Sequence, residues 1–301
     1  MQKPTPCRKG KTDMPILSLE MLQEMAPPLR SKAGAAVGKF LLNALEVQSL
    51  NDVNDTYAAL NPPDFALKVL QSGGITDYKV GNASRLDALP RDGAFITISN
   101  HPYGGVDGIM LLDLFGHLRP DYKVLVNKFL SYIKPMDPSF ITVIPKTNDY
   151  SGVDRESIQG IKNAISHLRD GHPLGIFPSG AVSDLHYKDF KIYDREWQEP
   201  ILRLIRKARV PILPVRFFGR NSMLFYLLGL VNWRIRTLRL PHEILNKEGV
   251  PTMIGIGEII SPEEQSGYDD IGEFGKLLRS RVYGMEKPEI FTSRSRISFR
   301  K

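Results

Sequence analysis

A histidine and an aspartate six residues apart, His101 and Asp107, lie in the stretch AFITISNHPYGGVDGIMLLDLF at residues 94–115. A neutral imidazole, with an ordinary pKa of about 6.5, suits proton abstraction at cellular pH. A carboxylate beside it would select one ring tautomer and stabilise the imidazolium that forms. An offset of six does not put both side chains on one face of a regular helix. The intervening Pro-Tyr-Gly-Gly-Val can fold back as a turn instead. Pro102 restricts one end, while Gly104 and Gly105 accept positive φ and let a ligand approach the backbone. The same residues also read as a plain strand-to-helix turn with Asp107 capping the next helix.

A second polar segment is GIFPSGAVSD, residues 175–184. A turn through Pro178, Ser179 and Gly180 offers backbone N–H groups and a hydroxyl to an oxyanion or a phosphate. Ser179 or Ser183 could instead act as a nucleophile with His101 and Asp107. The hydrolase elbow is G-x-S-x-G, however, and here only the glycine directly after Ser179 is present. His117, His167, His172, His186 and His242 lack a partner at metal-ligand spacing and read as structural or surface residues. The single cysteine, Cys7, allows no intramolecular disulfide and no cysteine-based metal cluster. No metal is expected.

From about residue 76 strand-like and helix-like segments alternate. YKVG, GAFITIS, YKVLVN, FITVIP, PLGIFP and VPILPVRFFG read as strands. DGIMLLDLFGHL, KFLSYI, DRESIQGIKNAISHLRDG and EWQEPILRLIRKAR read as helices. This order predicts an α/β fold with a largely parallel central sheet flanked by helices. Ligands of such sheets lie beyond the carboxyl ends of the strands, and both polar segments follow predicted strands. Upstream, Pro27-Pro28, Asn61-Pro62-Pro63 and Gly73-Gly74 punctuate helical patterns. The expected division is a flexible basic arm at 1–14, an N-terminal helical subdomain at 15–75, the α/β domain at 76–285 and a basic tail at 286–301.

The 301 residues carry a formal charge of +7, unevenly spread. Ile201 to His242 holds nine Lys and Arg and no acid, and Lys276 to Lys301 holds eight against Glu286 and Glu289. Such stretches are either solvated basic faces or sites for polyanions: nucleic acid, anionic lipid or phosphate-bearing substrates. In residues 220–240 the basic residues alternate with an apolar run, Met223 to Val231, far short of the roughly 20 residues a spanning helix needs. That run reads as an interfacial segment with Trp233 at headgroup level, or as a buried helix followed by a strand. The basic N-terminal stretch has no apolar segment behind it, so it does not read as a secretory signal, and a cytoplasmic location is the default.

Taken together, these pieces resemble the glycerolipid (lysophospholipid) acyltransferase superfamily. NHPYGGVDG is similar to its first motif, VNKFLSYIKPM with FITVIPK to its second, GIFPSG to its third and VPILPVRFFGRNS to its fourth. All four occur in the family's order across residues 94–222. They most resemble the hemolysin-related branch, which includes acyltransferases of bacterial amino-acid lipids such as ornithine and glycine lipids. Three departures stand out. Five residues rather than the commonest four separate His101 from Asp107, Ser179 replaces the usual glutamate, and Lys146 lies near the usual place of an arginine. The last two make a lyso-lipid with another headgroup as good a candidate as a glycerol-phosphate acceptor.

The resemblance implies that His101 is the general base and Asp107 its orienting partner. The acyl donor would be acyl-CoA or acyl carrier protein, as co-substrate rather than cofactor, and the acceptor a lyso-lipid hydroxyl. Asn100, Gly104, Gly105, Lys128, Lys146, Pro178, Ser179, Gly180, Arg216, Arg220 and Asn221 would line the substrate site. The enzyme would work peripherally on the cytoplasmic face of the inner membrane, on an anionic surface, with no nucleic-acid partner. Two rivals remain on residue types alone: a serine esterase or lipase using Ser179 or Ser183, and a non-catalytic basic protein binding nucleic acid or membrane.

Overall fold

The structure is a computed structural model that describes residues 47–127, 133–143 and 155–299, with Leu130 and scattered positions between 19 and 39. The basic arm, the helix read at KFLSYI, Lys128 and Lys146 therefore lie wholly or largely outside the described residues.

Two helices lead in, α1 (Val47–Tyr57) and α2 (Pro62–Ser72). Asn61 caps α2 by accepting the Asp64 N–H, and the prolines that follow sit in the first turn, where an N–H would have no partner within the helix. The sheet strands are β1 (Lys79–Gly81), β2 (Ile96–Ser99), β3 (Lys123–Asn127), β4 (Phe140–Val143), β5 (Leu174–Ile176), β8 (Ile212–Phe217), β9 (Met253–Ile256) and β10 (Phe291–Ser293). Their order is β10-β1-β9-β8-β2-β5-β3-β4. Only the β1–β10 and β8–β9 pairs are antiparallel. A separate hairpin, β6 (Asp184–His186) and β7 (Lys191–Tyr193), follows β5.

The sheet is covered on both faces, as a buried parallel sheet requires. Strand alternation divides the side chains. Val124, Val126, Leu213, Val215 and Phe217 join one core with α2 and with α3 (Gly105–Leu118). Leu125, Ile96, Ile98 and Ile212 join the other, with α4 (Arg155–Arg169), α5 (Glu199–Ala208) and α10 (Ile271–Tyr283). Helix α2 thus shares its core with α3: Phe65, Ala66, Val69 and Leu70 are buried against it. Residues 286–299, read as a tail, contain β10 and return to the sheet edge.

Residues 220–240 form α6 (Met223–Val231) and α7 (Trp233–Leu238), followed by α8 (Leu240–Leu245) and, after β9, the one-turn α9 (Pro262–Gln265). The strand offered as one continuation of α6 is absent here, because the chain makes a second helix. Helix α6 buries Phe225 and Tyr226, whereas Met223, Leu224, Leu227, Leu230, Val231, Trp233 and Ile235 are 43–78% exposed. Among the described residues no helix is long and apolar enough to cross a membrane.

A charged cluster ties α3 to the far end of the chain. Buried Asp113 accepts hydrogen bonds from Tyr78 Oη (2.7 Å) and Arg294 Nε (2.8 Å), and its Oδ1 lies 3.2 Å from His117 Nδ1. The other nitrogen of His117 reaches Asp64 on α2 at 3.0 Å. Burial works against charge on His117, but its contacts with Asp113 and Asp64 outweigh this and hold its pKa above the usual 6.5. A raised histidine pKa means that folding takes up a proton. The resulting stabilisation is complete below about pH 6.5 and is lost as pH rises through the folded-state value. Melting temperature is accordingly expected to fall across that window in the wild type, and less in His117→Gln, in a thermal denaturation series against pH.

Candidate active site

Strand β2 has β8 on one side and β5 on the other, both parallel to it. The loops leaving these three strands therefore emerge together at one sheet edge. They are the loops of His101, Ser179 and Asn221. Ser179 and Asn221, 78 and 120 positions after His101, come to the same edge because three strands run side by side. Strands β3 and β4, whose ends precede Lys128 and Lys146, lie one and two places beyond β5.

The turn after β2 brings the His–Asp pair together. Nδ1 of His101 stands 3.0 Å from Asp107 Oδ2. The contact has ion-pair reach, but the ring N–H is angled off the oxygen, so it falls short of a well-aligned hydrogen bond. Asp107 is fully buried in the first turn of α3, where its Oδ2 accepts the N–H groups of Tyr103 (2.8 Å) and Gly104 (2.9 Å). Burial raises the pKa of its carboxyl, while His101 and these two N–H groups pull the other way. The imidazole also stacks on Phe177, the last residue before the Pro-Ser-Gly turn, with centroids 4.0 Å apart. One ring edge is thus turned to a carboxylate and one face to an aromatic ring, which leaves Nε2 as the nitrogen that can take a proton.

Gly104 has a φ of +76° and precedes α3, a conformation that L side chains rarely adopt. Its backbone is closely approached, as the sequence suggested, but by protein: an added Cβ would lie 2.8 Å from Leu240 and 2.9 Å from Val182. Gly105 is likewise covered by Ile244 of α8, at 2.9 Å.

The polar residues around the pair mostly hold loops. Asn100 clamps β2 to β8, donating to Phe217 O (3.0 Å) and accepting Phe217 N–H (2.8 Å). Asn221 donates to Tyr103 O at 3.0 Å, and Tyr226 Oη donates to Pro102 O at 2.7 Å, so the α6 region braces the His101 turn. Gln198 binds the carbonyls of Pro178 (2.9 Å, by its N–H) and Ser179 (3.0 Å, by its side chain). Gly180, with φ +64°, gives its own N–H to Phe177 O. Ser179 is buried and donates to Ala181 O at 2.8 Å, and Ser183 is buried and donates to Asp194 Oδ1 at 2.6 Å. Arg216 lies on the opposite face of β8 from Phe217, where it donates to the carbonyls of Tyr283, the last residue of α10, and Met285 just beyond it. Arg220 is exposed at the end of the β8 loop.

Phe177, Gln198 and Asp194 are site-building residues that the sequence did not single out. Phe177 was within reach, since it closes β5 in the third motif. The other two stand apart from every motif. Among the described residues no cluster of His, Cys, Asp or Glu is arranged to hold a metal.

A family profile described as an acyltransferase matches residues 20–288. A lyso-glycine lipid O-acyltransferase of Bacteroides thetaiotaomicron is 30% identical over 142 residues, 47% of this chain and 49% of the relative. A lyso-glycine lipid O-acyltransferase of Phocaeicola vulgatus is 29% identical over 205 residues, 66% of this chain and 70% of the relative. The aligned region thus spans about half of the first relative. The family match, by contrast, runs through every strand of the sheet except β10 and through the His–Asp turn, and the chain belongs to the acyltransferase family.

Proposed function

We propose that this protein moves a fatty acyl group from an acyl thioester, acyl-CoA or acyl carrier protein, to the hydroxyl of a lyso-lipid. A lyso-amino-acid lipid is the first acceptor to try, because both relatives above are named for lyso-glycine lipid. The observation that carries the reading is the close pairing of His101 with buried Asp107 where three strand-end loops converge. In this reading His101 Nε2 takes the acceptor hydroxyl proton as the oxygen attacks the thioester carbonyl. Asp107 balances the imidazolium. Collapse of the tetrahedral intermediate forms the ester and breaks the C–S bond, and the thiolate recovers the proton from His101. No acyl-enzyme is needed. The buried, inwardly bonded hydroxyls of Ser179 and Ser183 give the esterase reading little support.

The test is acyl transfer by purified protein in detergent. A labelled long-chain acyl thioester is offered with lyso-phospholipids and lyso-amino-acid lipids. A new diacyl product that needs His101 is the expected result. Free fatty acid as the main product would favour the esterase.

The acceptor resides in a bilayer, and we place the protein on the anionic cytoplasmic face of the inner membrane. Support comes from the apolar outer face of α6 and α7, the first of which braces the His101 turn. Its basic flank is thinner than the sequence implied: Arg236 is paired with Asp184, and Arg239 with Glu243. Apolar contact would therefore dominate. Each Leu buried in lipid contributes roughly 1.5–3 kcal/mol. Leu227→Asp with Leu230→Asp is expected to cut co-sedimentation with phosphatidylglycerol-containing vesicles at least about tenfold.

A further inference from the structure

Strand β2 ends at Ser99, so ladder hydrogen bonds no longer fix the main chain at His101. Both of its backbone polar groups are nonetheless engaged, and by one unit. His101 N–H donates to Asp194 Oδ1 at 3.1 Å. Its carbonyl accepts the N–H of Ser183 at 2.9 Å, and the hydroxyl of Ser183 returns to the same Asp194 oxygen at 2.6 Å. Trp197 Nε1 lies 3.4 Å from the other oxygen. Asp194 itself is 1% exposed and directly follows β7.

Asp194 is moored in turn. Its N–H donates to Tyr283 Oη at 2.9 Å, and Arg279 donates to its carbonyl and to that of Arg195, both at 2.9 Å. Tyr283 and Arg279 belong to α10. A rigid helix on the far core thus reaches the backbone of the base through one carboxylate. Asp107 and Phe177 fix the ring of His101, whereas Asp194 fixes where the ring begins. A residue that stores polar acceptors in a dry site, and spends them on the main chain of the base, sets the distance over which that base must act.

We infer that Asp194 is a positioning residue for acyl transfer, acting through the backbone of His101 by means of its acceptor oxygen. The inference rests on the reading of His101 as the general base. Two variants separate geometry from charge. Asp194→Asn keeps an acceptor oxygen in the same place and removes the charge. Asp194→Glu keeps the carboxylate but moves it by one methylene.

The experiment measures kcat and KM for acyl transfer to the accepted lyso-lipid, with melting temperature recorded for each protein and His101→Ala assayed beside them. Asp194→Asn is expected within about threefold of wild-type kcat. In Asp194→Glu, kcat should fall roughly tenfold to a hundredfold with KM within about twofold, since a misplacement near 1 Å costs on the order of a hundredfold. Asp194→Glu at wild-type kcat, or Asp194→Asn as slow as Asp194→Glu, would overturn the inference. If His101→Ala keeps the wild-type rate, it is the general-base reading that fails, and the Asp194 role goes with it. If His101→Ala is inactive while Asp194→Glu is not slowed, only the positioning role fails.

Discussion

His101→Ala is expected to remain folded and to lose roughly 10²–10⁴-fold in acyl transfer, the range that a positioned general base contributes. The fold should tolerate the change well. The imidazole is partly exposed, and its removal forfeits the stack on Phe177 and the contact with Asp107, while every backbone bond of residue 101 survives. The lost ring stack is worth about 0.5–1.5 kcal/mol. Thermal denaturation and a transfer assay on the same preparation check both halves. A variant that retains activity would remove the general-base mechanism, and one that unfolds would show the ring to be structural.

Asp107 should separate two roles that His101 does not. In Asp107→Ala the N–H groups of Tyr103 and Gly104 lose their shared acceptor in a fully buried place. Each unpaired group costs about 1–3 kcal/mol, so the first turn of α3 should be visibly destabilised in a denaturant titration. Asp107→Asn keeps one oxygen for those N–H groups and should lose far less stability. The oxygen kept for those N–H groups is also the one that faces His101 Nδ1, but a neutral amide cannot balance an imidazolium. Transfer should still fall by about 10²–10⁴-fold. An Asn variant that is as unstable as Ala, or as active as wild type, would contradict this division. The raised carboxyl pKa also has a sign: acid protonates Asp107 before it protonates an exposed aspartate, so the pair loses its charge earlier as pH falls.

The parts of the fold legible in sequence were those with a strong period. Six β-branched runs and the helices between them specify most of the parallel sheet, and the neighbouring places of β5, β2 and β8 bring the motif loops together. What escaped was short or non-local. The hairpin β6–β7 and strand β10 are mostly part-exposed and carry no apolar run, and β9 is four residues with Gly255 among them. Asn100, Asn221 and Arg216 looked like ligands because they are polar and follow or end strands. Their side chains instead satisfy loop carbonyls, which a polar residue next to a buried strand end must often do. For Arg216 the parity of β8 was a usable signal, since it shares a face with Ile212 and Pro214 rather than with Phe217. Asp194 carried no local signal: its partner at His101 is 93 positions away.

The bond between Asp113 and Arg294 spans 181 residues and joins the helix whose first turn holds Asp107 to the segment after β10. During synthesis, His101, Asp107, Ser179 and Asn221 all leave the ribosome well before Arg294 does. Until then a carboxylate meant for the interior lacks its cation, and sealing it in would be costly. The helix of the His–Asp pair therefore docks fully only once Arg294 has been made and has reached Asp113, so the site is finished later than the residues that form it.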